Sequence, residues 1–152
     1  MTYYGKNDLV LMRFLWNLPC SVNKIFGLGE ITKSNKSLGF YGEKLAKEFL
    51  ISRNYKILHT NYSTPFGEID IIARKITTVI FIEVKTKCSE KFGSPLEAIT
   101  LEKRKHIIAS CKYYLLKNRL INNEIRIDGI GIKLNQDWCF EFLRHIKNII
   151  ET

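Results

Sequence analysis

Leu38, Leu45, Ala46, Phe49 and Leu50 form one apolar stripe at helical spacing in an otherwise charged segment, which predicts an amphipathic helix from Ser37 to about Arg53-Asn54. The period then changes. Tyr55 to Tyr62, Gly67 to Arg74 and Thr78 to Lys87 are strand-like runs, and the connectors Ser63-Thr-Pro-Phe66 and Lys75-Ile-Thr77 are short enough to fold them as an antiparallel meander. Beyond Phe92-Gly93 the helical spacing returns in Ile99, Ile107, Ile108, Cys111 and Leu115, through about residue 119. Two starts compete for this helix. Ser94-Pro-Leu-Glu97 has capping-box spacing with Pro at the first helical position, and Thr100 offers a second N-cap. Glu124 to Ile132 and Trp138 to Phe142 predict two further strands, and the tail from Leu143 to Ile150 a last helix. The order helix, three-stranded meander, helix, strands predicts an α/β fold with a mixed sheet flanked by helices.

Residues 1–36 have a different texture: a short apolar patch, a Pro, Gly27 and Gly29, then the polar run Thr32 to Ser37. They are expected to be an N-terminal extension and linker, or an overlong start with translation beginning at Met12, leaving residues 37–152 as the domain. A bare GxG without a preceding strand and following helix is expected to be a turn. The apolar runs Leu9 to Met12 and Phe14 to Trp16 are split by Arg13 and fall short of the ~20 residues that span a bilayer, so no membrane span is expected. Cys20, Cys88, Cys111 and Cys139 contain no CxxC pair, which points to a reduced, cytoplasmic chain without a thiolate metal site.

Charge adds a partner class. Lys and Arg number 24 against 15 Asp and Glu, a formal net charge of +9. Such an excess favours polyanions, either nucleic acid or an acidic membrane face, without choosing between them.

Candidate chemistry lies in the meander. Glu68 and Asp70 alternate with Ile69 and Ile71 and so leave one face of their strand, as Glu83 and Lys85 do on the next. The expected hairpin register sets Asp70 across from Glu83 and Glu68 across from Lys85. Opposed carboxylates, with Cβ atoms about 4.5 to 5.5 Å apart, repel one another unless something positive lies between them. A divalent cation resolves the conflict, since Mg²⁺ takes one or two carboxylates and completes its octahedron with water and phosphate. Lys85 is then placed to hold, or to help deprotonate, an attacking water. Glu43, at the margin of the first helix's apolar stripe, is either a further acid of this site or a surface charge paired with Lys47.

Asp70 followed after twelve residues by Glu83-Val-Lys85 resembles the PD-(D/E)xK nuclease signature, with Ile69 at the Pro position, and Glu43 resembles the extra helical acid of Holliday-junction-resolvase-like members. More closely, Gly42-Glu43, Ile57-Leu58, Asn61-Tyr62, Gly67-Glu-Ile-Asp70, Phe81-Ile-Glu-Val-Lys85, Phe92-Gly93, Lys103 and Arg126-Ile-Asp128 resemble the YraN-type family of uncharacterised nuclease-like proteins, over roughly residues 37–132. The resemblance implies a restriction-endonuclease-like core over residues 37–152. It also implies an endonuclease acting on DNA, structure-selective for branched or junction substrates, with Mg²⁺ or Mn²⁺ as cofactor. Asp70, Glu83 and Glu43 would be metal ligands and Lys85 the catalytic lysine, with Glu68 a less direct contributor. By analogy of fold, a homodimer is one expected assembly.

Lys103, Arg104 and Lys105 stand where a helix begins if Thr100 caps it. Positive charge opposes the macrodipole there unless a phosphate binds, so with Lys87 they are candidate nucleic-acid contacts, against the plainer reading of a solvated basic face. Tyr113 and Tyr114 are candidate base-stacking rings, although helical spacing sends one of them into the core. Arg126 and Asp128 share a strand face, as an ion pair bracing the sheet or with Asp128 supporting the site. His59, His106 and His145 are isolated and receive no role. The alternative to an enzyme is a non-catalytic nucleic-acid-binding module on the same fold.

Overall fold

The computed structural model of the protein describes residues 2–4, 34–88 and 100–150. Its elements are β1 (Thr2–Tyr4), α1 (Asn35–Ser52), β2 (Lys56–Thr64), β3 (Gly67–Lys75), β4 (Thr78–Lys87), α2 (Leu101–Lys117), β5 (Ile125–Leu134) and β6 (Phe140–Ile146). One six-stranded sheet runs in the order β1-β6-β5-β4-β3-β2. The meander β2–β3–β4 is antiparallel, β4 and β5 are parallel across the α2 crossover, and β6 and β1 return antiparallel. This mixed α/β sheet flanked by helices is consistent with a restriction-endonuclease-like core.

Strand alternation sorts the core into two layers. Ile71, Ala73, Ile80, Ile82, Ile130 and Ile132 pack beneath Leu45, Ala46, Phe49 and Leu50 of α1. Ile72, Val79, Phe81 and Ile127 point the other way, against Ile107, Cys111, Tyr114 and Leu115 of α2. Both surfaces of the central strands are thus covered, which is why β4 reads as a nearly continuous apolar run before Glu83.

Capping sets the helix starts. Ser34 accepts from the Ser37 amide and begins α1 slightly earlier than its apolar stripe does. Thr100 accepts from the Lys103 amide and begins α2, the second of the two expected starts. Ser94 to Glu97 lies outside the described residues, as do Phe92-Gly93 and residues 5–33.

Two expectations need correction. Leu143 to Ile146 is not helical. It continues β6, whose partners Gly129 to Leu134 are supplied from β5, and Lys147 to Ile150 after it are not helical either, while Trp138 takes a positive φ of 63° and Asn135 closes the turn before the strand. The other concerns Glu68 and Lys85, which do not pair. The β3–β4 ladder stops at Ile71 opposite Ile82, and Glu68 pairs with Ser63 of β2 instead. Up to that stop the expected register holds, so Asp70 and Glu83 are the first residues beyond it. Ile69, of the same parity as Ile71, joins the α2 layer, so β3 rotates at Asp70. Strands β3 and β4 therefore part as a fork at this point.

One glycine fixes how closely α1 approaches that fork. A Cβ on Gly42 would fall 1.6 Å from Thr86 Oγ1 and 2.8 Å from Thr86 Cβ. Helix propensity alone makes Gly→Ala favourable by about 1 kcal/mol. Here overpacking outweighs it: Gly42→Ala should cost about 1–3 kcal/mol in urea unfolding, with Thr86→Ala in the same chain recovering part of the loss. A stabilised Gly42→Ala protein would contradict the close packing of α1 on β4.

Candidate active site

The fork gathers acids and lysines from four elements. Asp70, on the rotated segment of β3, turns its carboxylate toward β4, where Oδ2 accepts the Val84 amide at 2.6 Å. A side chain thus replaces the backbone partner that the ladder would have supplied. Glu83 is buried on the α2 side of β4, and its Oε1 receives Lys85 Nζ at 2.8 Å. Lys103 Nζ, from the first turns of α2, donates to the same oxygen. Lys85 and Lys103 are both half-exposed, so each ammonium keeps a path to solvent.

Glu43 closes the group from α1. It is half-buried and accepts from Asn61 Nδ2 at 2.6 Å, and Asn61 reaches it from β2 with a positive φ of 50°. Asn tolerates that conformation better than most residues. In the sequence Asn61 stands out only as part of a motif. Its tie to Glu43 depends on this backbone conformation and leaves no mark in the periodicity.

Charge crowding leaves a clear electrostatic signature. Burial first, then the nearby Glu83 and Glu43, push the Asp70 carboxyl up to about 7, against the opposing pull of the Val84 amide and Lys85. Burial pulls Lys85 down, but its bond and attraction to Glu83 outweigh that and leave it above the ordinary lysine value. Lys85 is therefore an ammonium at neutral pH, suited to holding a water or stabilising negative charge and not to accepting a proton.

Among the described residues no three His, Cys, Asp or Glu side chains converge into a complete cage for a metal ion. A hard divalent cation does not require one, because Mg²⁺ is commonly held by one or two carboxylates with water and phosphate oxygens. Asp70, short of positive charge and with Oδ2 alone engaged by Val84, together with Glu83 across the fork, fits that demand. Glu43 is a flanking acid.

The remaining candidates separate. Glu68 lies exposed two residues before Asp70, in the wall of a cavity beside α2. Lys87 and Lys105 are exposed, while Arg104 is half-buried with its Nε lacking a hydrogen-bond partner. Asp128 is outside the fork. It faces the α1 layer at 0% exposure, and its oxygens are taken by Arg126 at 2.7 Å, His145 at 2.9 Å and the Asn148 amide at 3.0 Å. Burial raises its pKa, but these donors outweigh it and lower the value overall. Its role is to brace β5 against β6. His145, given no role from sequence, is half of that brace, visible only once the β5–β6 register is known. Tyr114 is core and Tyr113 half-buried, as helical spacing requires.

The fold is an α/β one, consistent with a restriction-endonuclease-like core, and it carries a carboxylate–lysine cluster where two sheet strands diverge. The chain belongs to the UPF0102 family, the YraN-type family: the model of "Uncharacterised protein family UPF0102" matches residues 42–132. It is 44% identical over 115 residues to a UPF0102 protein of Clostridioides difficile (strain 630), covering 76% of this chain and 97% of the relative. It is 48% identical over 105 residues to one of Clostridium perfringens (strain 13 / Type A), covering 69% and 86%. Against a UPF0102 protein of Caldicellulosiruptor saccharolyticus the identity is 40% over 102 residues, covering 67% and 86%. All the residues of the fork cluster fall inside the matched segment. No helix of the described residues is long and apolar enough to cross a membrane.

Proposed function

We propose that this protein is a metal-dependent endonuclease that hydrolyses DNA phosphodiester bonds. The observation that carries the reading is the Asp70 carboxyl, held beside Glu83 and Glu43 at an electrostatic cost with two lysines alongside. A scaffold with only structural duties has no reason to bury that repulsion, whereas a site awaiting a cation and a phosphate does. Asp70 and Glu83 would hold Mg²⁺ or Mn²⁺, with Glu43 assisting, and the ion would supply Lewis acidity toward the phosphate and a more acidic water.

The chain's own groups supply the rest. Lys85, a fixed ammonium, orients the attacking water and meets the charge that develops on the non-bridging phosphate oxygens. Lys103, on the same Glu83 oxygen, holds that carboxylate in place and offers a second positive charge to the strand. Asn61 fixes Glu43. The net charge of +9 supplies affinity independent of sequence, which should weaken steeply with salt.

The second reading, a DNA-binding module without turnover, draws on Glu83 being already neutralised by two lysines. Cleavage of labelled duplex, single-stranded, flapped and four-way-junction DNAs with Mg²⁺, Mn²⁺ or EDTA separates the two. Metal-dependent cutting that Asp70→Ala abolishes is the expected result. Salt-sensitive binding with no cutting under either ion would replace the enzyme by the module.

A further inference from the structure

Beside the fork lies a cavity of about 360 Å³, within the size range of small-molecule sites. Phe66 and Glu68, at the β2–β3 turn, form one wall, and Lys103, His106, Ile107 and Ser110 of α2 form the other. It adjoins the catalytic cluster through a shared side chain, because Lys103 lines the cavity while its ammonium bonds Glu83. Glu68 leads along β3 to Asp70 only two residues away.

The cavity's wall is a built feature. Thr64 Oγ1 accepts the Phe66 amide at 3.1 Å, bonds the Gly67 carbonyl at 2.8 Å and meets Ser110 Oγ at 2.8 Å, tying the turn to α2. Gly67 holds a φ of 138°, where a side chain would be strained. The turn leaves the Phe66 ring 48% exposed, with Tyr113 edge-on behind it at 6.4 Å. An aromatic ring offered to solvent on a pinned turn, across a cavity from Lys103 and Glu102 and next to the proposed phosphate site, has the chemistry of a base-stacking platform.

We propose that this cavity is a base-accepting subsite: an unpaired nucleobase next to the scissile phosphate stacks on Phe66, and the Glu68 carboxylate accepts the exocyclic amine of its edge. The inference rests on the nuclease reading for the position of the phosphate and deepens it by naming the substrate class. That class is DNA with an unstacked nucleotide at the cut, either single-stranded or distorted, and not a regular duplex. Lys103 spans the two halves of the site, with its stem toward the base and its ammonium toward the phosphate. Glu68 discriminates among bases: cytosine presents an amine where thymine presents a carbonyl oxygen that a carboxylate repels.

The test is fluorescence anisotropy of the full chain in EDTA with labelled oligo(dC), oligo(dT) and a blunt duplex of equal length, at one fixed salt concentration. The wild-type protein should prefer single strand to duplex and oligo(dC) to oligo(dT). Phe66→Ala should lower the ratio of single-strand to duplex affinity by roughly 5- to 150-fold, the range that one lost base stack spans, and Phe66→Trp should restore it. Glu68→Gln should narrow the gap between oligo(dC) and oligo(dT). Equal loss on both structures in Phe66→Ala, or a wild-type protein without single-strand preference, would overturn the subsite. Working without metal keeps the two readings apart: the preference with no cutting under Mg²⁺ or Mn²⁺ retains the subsite and removes the nuclease. Cutting of blunt duplex, with no Phe66-dependent preference, does the reverse.

Discussion

Lys85→Ala should lower the single-turnover cleavage rate by about 10²- to 10⁴-fold while changing DNA affinity by only a few-fold. The asymmetry follows from where the side chain sits. Lys85 is one of 24 Lys and Arg residues whose summed field attracts the strand, so one charge fewer changes the salt dependence of binding by about one phosphate contact. At the fork the same ammonium sits at 2.8 Å from buried Glu83, where the proposed hydrolysis would develop charge and surrounding water screens it poorly. Its raised pKa keeps it protonated through pH 9, so the rate should show no descending limb from Lys85 in that range. Parallel loss of rate and affinity in the alanine variant would make Lys85 a binding residue and nothing more.

Asp70→Asn should stabilise the ion-free protein, with a gain that depends on pH. In the unfolded chain an Asp carboxyl titrates near 3.8, whereas in the fold Asp70 titrates near 7. Below about pH 3 both states carry the proton and the residue is neutral to stability. As pH rises toward 7 the unfolded chain releases its proton first, and stability is lost until the folded pKa is passed. Above pH 8 the penalty is constant, on the order of 4 kcal/mol as an upper limit set by the two pKa values. Asparagine keeps an oxygen for the Val84 amide and carries no charge to bury. The variant should therefore unfold at nearly the wild-type urea concentration at pH 3, and at a distinctly higher one at pH 8. Millimolar Mg²⁺ at pH 8 should narrow the gap by stabilising the wild-type protein, and Asp70→Asn far less. A gap that does not change with pH would mean that burial and the neighbouring acids do not raise the Asp70 carboxyl as the geometry requires.

Much of this arrangement could be read from the chain because it rests on local patterns. Ile71, Ala73, Ile80 and Ile82, with a short connector between, determine the β3–β4 register, and that register brings Asp70 next to Glu83. The Thr100 cap likewise marks the start of α2 in its side chain. What escaped notice depends on distant pairings. Leu143, Ile146, Ile149 and Ile150 have the spacing of a helical stripe, and it is the open edge of β5 that draws the first two into a strand. Lys103 meets Glu83 because the crossover lays α2 over the sheet, which no twenty-residue window contains. His145 and Asp128 become partners by the same kind of long-range register. The expected pairing of Glu68 with Lys85 requires the ladder to run on. It stops where the acids begin, and Lys85 turns to Glu83 on its own strand.

The place where the ladder stops has a mechanical meaning. Beyond Ile71 and Ile82 each strand remains paired on its far side, β3 with β2 and β4 with β5, so the sheet divides into two separately stiffened leaves. Between their backbones, among the described residues, the Asp70–Val84 bond is the clasp. Side chains of α2 bridge the two leaves, Ser110 meeting Thr64 on one and Lys103 meeting Glu83 on the other. The β2–β3 leaf carries Phe66, Glu68 and Asp70, and the β4–β5 leaf carries Glu83 and Lys85. Backbone rungs zip the sheet behind the Ile71–Ile82 pair, whereas side-chain straps span the gap between the leaves in front of it.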